Sequence, residues 1–185
     1  MQLLLPALLL ALAIPAQAQL RELDRALISA AARGDVAEAS RLIAAGGNVN
    51  AQAENKDSAY LVAGARGHTD VLRLTLAHGA DLKSTNRYGG TALIPACHYG
   101  HVDTVREMLK TKVDVNHVNN LGWTALLEAI ILSDGGARHI EIVRLLVSHG
   151  ANPSLADRDG VTPLQHAKRR GYASIASILE RAGAR

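Results

Sequence analysis

A repeat of 33 residues constrains the fold of this chain more than any other feature of its sequence. Two sets of residues keep this interval: Gly34, Gly67 and Gly100, and Ser58, Thr91 and Thr124. The next hydroxyl residue in phase is Thr162, and a five-residue insertion at 133–137 accounts for the longer interval. A period of this length is typical of a solenoid, in which each unit packs only against its neighbours.

Each unit has the pattern of two short amphipathic helices followed by an extended connector. In the third unit, Thr91 is the predicted N-cap of the first helix and Gly100 its predicted left-handed end. Helices of about ten residues are not stable alone, so their apolar faces must be buried by stacking. Aromatic residues are only 3% of the chain and Phe is absent, which favours thin helical layers over a thick core. The sequence therefore predicts an all-α solenoid.

The repeat accounts for one domain at residues 19–185. Five units are predicted, at about 20–52, 53–85, 86–118, 119–156 (with the insertion at 133–137) and 157–185. Two residues break the pattern. Lys112 stands where other units have glycine, and a left-handed backbone there would be strained, so Lys112→Gly is expected to stabilise the fold. Pro95 falls inside a predicted helix, where a local distortion is expected.

The first 18 residues have a different character from the rest of the chain. They contain no charged side chain, and an apolar run at 3–12 is followed by Pro15 and the triplet Ala16-Gln17-Ala18. An apolar run before an A-x-A triplet indicates a cleaved export signal, although the positive n-region is missing. The sequence thus predicts a periplasmic or secreted protein. Contact with a membrane is expected only if residues 1–18 remain as an anchor.

Several segments of the repeat resemble those of the ankyrin-repeat family. They are Gly67–Val71, His78–Asp81, Gly100–Asp103, His149–Asn152 and Thr162–Ala167. The resemblance covers about residues 20–184. It implies a stack of antiparallel helix pairs with projecting hairpin-like loops, and a function in binding another protein. No unit has the family's complete Thr-Pro-Leu-His motif, whose histidine links neighbouring loops.

The resemblance also implies that loop tips and first helices form a concave binding surface. The scarce aromatic residues fall at such positions, and Trp, Tyr and Arg are frequent in interface hot spots. The predicted partner-binding residues are Arg66, Tyr88, His98, Tyr99, Leu121, Trp123, Glu128, His166 and Arg169. For Trp123, packing against the adjacent loop is the alternative.

No catalytic, metal or cofactor site is predicted. Five of the eight histidines repeat in two phases, which places them one layer apart rather than around one ion. Cys97 is the only cysteine and aligns with small inward residues, which indicates a buried position. The chain is therefore predicted not to be an enzyme. The alternative is an enzyme or redox accessory protein that uses Cys97 or His98.

The net charge of +3 comes from the C-terminal unit rather than from a basic stripe. The run Lys168–Arg170 lies on the predicted first helix of that unit. Nucleic-acid binding would need a longer basic surface with stacking aromatics and is not predicted. The expected partner is an unidentified protein, and the chain is expected to be a monomer. A secreted, host-directed effector is a further alternative, which differs only in where the partner is found.

Overall fold

The computed structural model describes residues 16–185, and within them ten helices form five consecutive pairs. The pairs are α1 (Ala16–Arg33) and α2 (Val36–Ala44), α3 (Ala59–Arg66) and α4 (Thr69–Ala77), α5 (Leu93–His98) and α6 (Val102–Leu109), α7 (Ala125–Ile131) and α8 (Ala137–Ser148), and α9 (Pro163–Arg169) and α10 (Ala173–Arg181). No β-strand occurs in this part of the chain. The predicted all-α fold of about five helix-turn-helix units is confirmed. Residues 1–15 of the predicted export signal lie outside the described residues.

The helices form two rows. Each first helix packs on the first helix of the next unit, and each second helix packs on the next second helix. Small side chains allow this close stacking, and one fully buried alanine recurs in every first helix at Ala30, Ala63, Ala96, Ala129 and Ala167. At Gly64 a Cβ would lie 2.8 Å from the Cβ of Ala92, so even a methyl group is excluded there. The shortage of aromatic residues therefore reflects the thickness of these layers.

The first helices of units two, four and five begin in the same way. The hydroxyls of Ser58, Thr124 and Thr162 each accept a hydrogen bond from the backbone N–H three residues ahead, at 3.2 Å. This N-cap satisfies a donor that the helix leaves unpaired.

Unit three departs from this pattern, and the prediction that Thr91 caps its first helix is wrong. The helix begins later, at Leu93, and the buried hydroxyl of Thr91 has no hydrogen-bond partner among the described residues. The reason is Pro95, whose ring would clash with the carbonyl of Thr91 four residues earlier if the helix began at the usual place. The distortion expected at Pro95 is therefore a displaced helix start.

The strained lysine is not the one that the sequence indicated. Among the described residues, the only non-glycine residue with a positive φ is Lys56, at 62°. It lies at a hairpin tip, where units three to five have Gly89, Gly122 and Gly160. Lys112 avoids the left-handed backbone because the turn after α6 is built differently. The Thr111 hydroxyl accepts from Val113 N at 3.2 Å, in place of a backbone carbonyl.

In units two to five, an aromatic ring at the start of the second helix fastens the unit to the previous one. The rings of His68 and His139 donate to carbonyls at the ends of α1 and α5, at 3.2 and 2.9 Å. His101 faces the carbonyl of Ala65 in the same manner. These histidines are structural, as their 33-residue spacing indicated.

In unit five, the equivalent aromatic ring packs against the five-residue insertion. Tyr172 takes the place of histidine in unit five and donates to the Ser133 carbonyl at 2.6 Å. Its ring lies against Gly135, where a Cβ would be only 2.5 Å away. The insertion thus packs against unit five, and the longer tyrosine side chain spans the extra distance.

The hairpins of the last three units are closed by one side chain each. Asn119 Oδ1 accepts from the backbone of Leu121 and Trp123 at 2.9 and 3.0 Å. Asn86 and Asp157 do the same in units three and five. Neighbouring connectors are also joined, because the Asn50 and Asn116 side chains bond to the next unit's connector. Asparagine therefore provides the loop contacts for which the histidine of the motif is missing.

Candidate functional site: a groove along the first helices

A groove of about 1080 Å³ runs along the first helices and the hairpin tips of units one to four. Its walls come from α1, α3, α5 and α7 on one side and from the hairpins around Arg87 and Leu121 on the other. First helices turn one face to their neighbours and leave another uncovered, and the projecting hairpins overhang that face. The stack therefore creates a continuous concave surface.

Six of the nine residues predicted to bind a partner line this groove. They are Arg66, Tyr88, His98, Tyr99, Leu121 and Glu128. These residues lie on three different units, so the repeat brings together positions that are up to 62 residues apart in the sequence. The 33-residue frame places them on one face, because residues one period apart occupy equivalent sites in adjacent layers.

The other three predicted residues do not line the groove. Trp123 is half-buried at the end of its hairpin, where its backbone carbonyl accepts from Asn119 N at 3.0 Å. His166 is half-buried and donates to Asp157 Oδ2 at 2.7 Å, so it supports the hairpin of its own unit. Arg169 is exposed on α9. His166 and Arg169 belong to unit five, beyond the part of the stack that the groove covers, whereas Trp123 belongs to unit four but is not among the lining residues.

The rim at the middle of the groove is formed by apolar and aromatic side chains. Tyr88, Tyr99, Leu121 and Leu132 expose between 41% and 55% of their surface. The Tyr99 ring stacks on that of His98 with the centroids 4.2 Å apart. The guanidinium of Arg87 lies over the Tyr88 ring at 4.8 Å from its centroid. These contacts fix the rings in the groove wall while leaving one edge of each accessible.

A buried carboxylate lies below this rim, at the start of α7. Glu128 is 7% exposed, and its Oε1 accepts from Asn119 Nδ2 at 2.9 Å. Its Oε2 is 3.8 Å from His98 Nδ1. Burial raises the pKa of Glu128 to about 7, and the hydrogen bond from Asn119 only partly offsets this. The carboxyl group thus changes its charge near neutral pH.

Two histidines of the groove, His98 and His101, have a lowered pKa. Burial, together with the proximity of His139, lowers the pKa of His98. Burial also lowers the pKa of His101, against the opposing effect of its hydrogen bond to Ala65. Both rings are therefore mostly neutral at pH 7, and His98 does not supply a positive charge to Glu128.

Sequence reasoning missed two contributors to the groove: Asn119 orients Glu128, and Arg87 covers Tyr88. The repeat contained the signal for one of them, because Asn119 is one period after Asn86. Leu132, which extends the apolar rim, is one period after Tyr99 and was expected on this face. The depth at which Glu128 is buried has no signal in the sequence, because the same position holds Val62, Pro95 and His166 in other units.

Cys97 is buried, as its alignment with small residues predicted. Burial raises the pKa of its thiol well above the usual value, and the nearby Glu128 adds to this effect. A neutral, inaccessible thiol is the unreactive form. Within residues 16–185, no group of three His, Cys, Asp or Glu side chains could hold a metal ion. None of the helices in this range is long and apolar enough to cross a membrane.

The opposite face of the stack, formed by the second helices, is covered by ion pairs. Arg73 pairs with Asp70 on α4 and with Glu107 on α6, at 2.8 and 2.9 Å. Arg106 continues this series to Glu141 on α8. The hydrogen bonds from Arg73 and Lys110 lower the pKa of Glu107 to about 2. The charges of this face are therefore largely satisfied within the chain.

Comparison with known proteins places this geometry in a family. The family model for ankyrin repeats matches three overlapping segments, at residues 27–119, 60–157 and 112–185. Among curated proteins, YahD of Escherichia coli (strain K12), a protein named for ankyrin repeats, is 53% identical over 57 residues. That match covers 31% of this chain and only 28% of YahD, so it spans less than a third of the relative's length.

Two solved structures are similar over most of the chain. The crystal structure of an ankyrin repeat domain from Acinetobacter baumannii AYE is 59% identical, with a TM-score of 0.84. The alignment covers 86% of this chain and 81% of that one. The ankyrin repeat protein EF0377 is 41% identical with a TM-score of 0.81, over 84% of this chain and 79% of its own. With a family match across residues 27–185 and five stacked helix pairs, this chain belongs to the ankyrin-repeat family.

Proposed function

We propose that this protein is a non-enzymatic scaffold that binds a partner protein in the groove of its first helices. Ankyrin repeats generally mediate protein–protein interaction. The observation that carries the proposal is the location of the exposed large hydrophobic side chains. Of the six large hydrophobic side chains that are exposed in the described part of the chain, four line the groove: Tyr88, Tyr99, Leu121 and Leu132.

The chemistry of the groove favours a protein partner. Tyrosine offers a large contact area at a low cost in conformational entropy, and it also provides a hydroxyl for hydrogen bonding. A standard interface buries about 800 Å² on each partner, which requires a surface that extends over several units. The groove meets this requirement because it continues from Arg25 in unit one to Leu132 in unit four.

The proposed place of action is outside the cytoplasm, in the periplasm or after secretion, with the chain as a monomer. The support for export is the apolar run of residues 3–12 and the Ala16-Gln17-Ala18 triplet. Cell fractionation and intact-mass measurement test this part. A protein recovered outside the cytoplasm with residues 1–18 removed is expected, and a full-length cytoplasmic protein would contradict it.

Site-specific photo-crosslinking tests the groove as the binding surface. A photoreactive amino acid is introduced in place of Tyr99 in the groove, or in place of Val36, which is 40% exposed on α2. In the native extracytoplasmic compartment, the substitution at Tyr99 is expected to trap a defined partner and the one at Val36 is not. The Tyr88→Ala/Tyr99→Ala double variant should bind that partner at least tenfold more weakly while remaining folded. Equal crosslinking at both positions would contradict the proposal.

A further inference from the structure

The carboxylate of Glu128 in the groove has one oxygen that accepts no hydrogen bond from the described residues. Glu128 is 7% exposed, and the remaining exposed surface opens into the groove. Its Oε1 accepts one hydrogen bond, from Asn119 at 2.9 Å. Among the described residues, its Oε2 accepts no hydrogen bond, and His98 Nδ1 is 3.8 Å away from it. An ionised carboxylate accepts up to about four hydrogen bonds, so Oε2 has room for a donor that enters from the groove.

The surroundings of Glu128 are apolar on the groove side. Tyr99, Leu121 and Leu132 form the rim, with 55%, 50% and 41% of their surface exposed. A group that reaches the carboxylate from solvent must therefore pass between apolar and aromatic side chains. Arginine and lysine have this form, since an aliphatic stem carries a charged head with several N–H donors. An arginine can also stack its guanidinium on a tyrosine ring.

The chain's own cations in the groove are engaged elsewhere or lie on other units. Arg25 pairs with Glu22 at 2.8 Å, and Arg87 covers the Tyr88 ring. Arg66 is at the end of α3, in unit two. None of these three forms an ion pair with Glu128 in the described structure. Their positive charges also disfavour a segment that is basic throughout, so the groove fits a single basic anchor.

Taking the proposed groove function as its basis, we infer that the groove selects a partner segment by one arginine or lysine side chain seated over Glu128. The stem of that side chain packs between Tyr99 and Leu121. Its head donates to Glu128 Oε2, which completes the hydrogen bonding of a buried carboxylate. The bound cation stabilises the ionised form of Glu128, so binding releases a proton from any fraction that was protonated.

Affinity for such a segment therefore rises with pH between about 6 and 8. Burial holds the pKa of Glu128 at about 7, and the cation binds only to the charged form. The titratable groups near it are Cys97 and His98 on α5, with His139 of α8 close to His98. One period further along the stack, His166 of unit five is paired with Asp157. Burial keeps Cys97 neutral throughout this range, and the pKa of His98 is lowered, so its ring is mostly neutral as well.

The test begins with a library of displayed random peptides, selected in parallel on the wild-type chain and on Glu128→Gln. Glutamine keeps the shape of glutamate and an oxygen that accepts from Asn119, so this variant is expected to fold. The wild type should enrich peptides with an Arg or Lys at one fixed position, and Glu128→Gln should not. A motif without a basic residue, or the same basic motif on both proteins, would overturn the inference.

The selected peptide then provides a matched pair of probes. Its anchor arginine is replaced by citrulline, which has the same shape but no charge. On the wild type at pH 8, citrulline should weaken binding by about 10- to 100-fold, the range for a hydrogen bond to a charged group. On Glu128→Gln the two peptides should bind equally, and the pH dependence should disappear. An equal loss on both proteins, or affinity that rises toward pH 6, would overturn the inference.

A third variant separates this inference from the proposed function. Tyr99→Ala removes the rim and leaves the carboxylate in place. If Tyr99→Ala abolishes peptide binding while citrulline has no effect, the groove is the binding surface and the role assigned to Glu128 is wrong. If neither change affects binding, both the inference and the proposed function fail. Asp57→Asn, which removes another groove carboxylate, is the control and should leave the preference for arginine intact.

Discussion

Units three and four are neighbours with nearly the same architecture, yet they treat one position of the first helix in opposite ways. Unit three has Pro95 there and unit four has Glu128. In unit three the helix start is displaced to Leu93, and the Thr91 hydroxyl has no hydrogen-bond partner in the described part of the chain. In unit four the Thr124 cap is intact at 3.2 Å, and the side chain one turn into the helix is a buried carboxylate.

The difference shows that one position of the repeat has different consequences in different units. In unit three its side chain disturbs the helix start, and in unit four it is a buried carboxylate. Unit three tolerates a defective helix start because its apolar face is held by the units on either side. Unit four has the regular helix start and uses it to hold a polar group that burial destabilises. The position of Glu128 in the groove therefore depends on a well-formed α7.

The largest effect is expected from the charge of Glu128. The folded-state pKa is raised from 4.5 to about 7, so between these values the folded protein binds a proton more tightly than the unfolded chain. The contribution of Glu128 to stability is therefore fully present below pH 4.5 and is lost as the pH rises to 7. Relative to Glu128→Gln, the wild type should lose about 3 kcal/mol of unfolding free energy across this range. Denaturant titrations at pH 4, 6 and 8 measure it.

A variant on the opposite face is the control for this pH dependence. The pKa of Glu107 is lowered to about 2 by Arg73 and Lys110, so its ion pairs contribute stability that is present above pH 4.5 and lost toward pH 2. Glu107→Gln should therefore change the pH profile with the opposite sign. A pH profile of Glu128→Gln that runs parallel to the wild type would show that Glu128 is not buried as described.

The second prediction compares the two asparagines that close the hairpins. Asn119→Ala removes acceptors for two backbone N–H groups and the only hydrogen-bond donor to Glu128 within the described residues. Asn86→Ala removes only the corresponding backbone contacts. We expect losses of about 2 and 1 kcal/mol, respectively, from thermal or denaturant unfolding. Equal losses would mean that the bond between Asn119 and Glu128 adds nothing.

The third prediction concerns the two helix starts directly. Thr124→Ala should destabilise the protein by about 1 kcal/mol, because it removes a working N-cap. Thr91→Ala should change the stability by less than about 0.5 kcal/mol, since its hydroxyl has no partner to lose. A double variant, Pro95→Val with Thr91→Ala, refines the comparison. Once Pro95→Val restores the regular helix start, Thr91→Ala should lower the stability about as much as Thr124→Ala does.

The smallest effect is expected where unit three lacks the connector glycine that unit four has at Gly150. Lys112 does not adopt a left-handed backbone, so Lys112→Gly should lower the stability by about 0.5–1 kcal/mol through the entropy of the unfolded chain. Lys56→Gly should raise it by about 1 kcal/mol, since φ is 62° there. Thermal unfolding of the two variants gives the sign. A stabilising Lys112→Gly would refute the geometry of this turn.

The fold followed from the sequence because its signal is repeated. The 33-residue interval between Gly34, Gly67 and Gly100 recurs along the chain, so one departure such as the insertion at 133–137 does not obscure it. The site was only partly predictable. The frame placed Tyr99 and Leu121 in the groove, but it also selected Trp123, whose position depends on how one hairpin end packs.

The errors arose where two local preferences compete. Thr91 has a good capping side chain, but the steric effect of Pro95 four residues later prevails. Lys112 replaces a glycine, but the hydroxyl of Thr111 offers another way to close the turn. The burial of Glu128 depends on the neighbouring units that pack around it and on Asn119. The sequence of a single unit therefore does not predict it.

The column of rings that fastens each unit to the one before it also determines how the protein could be extended. Gly34 and Gly67 each face a histidine ring of the next unit at 2.6 and 2.5 Å from a Cβ position. Gly171 has the same left-handed backbone, with φ at 71°, and no other described residue lies within 4 Å of the position that a Cβ would occupy. A grafted unit with a histidine one period after Tyr172 would place that ring against Gly171 and the carbonyl of Arg169. The column of rings therefore provides a joining point at which the stack could be extended by engineering.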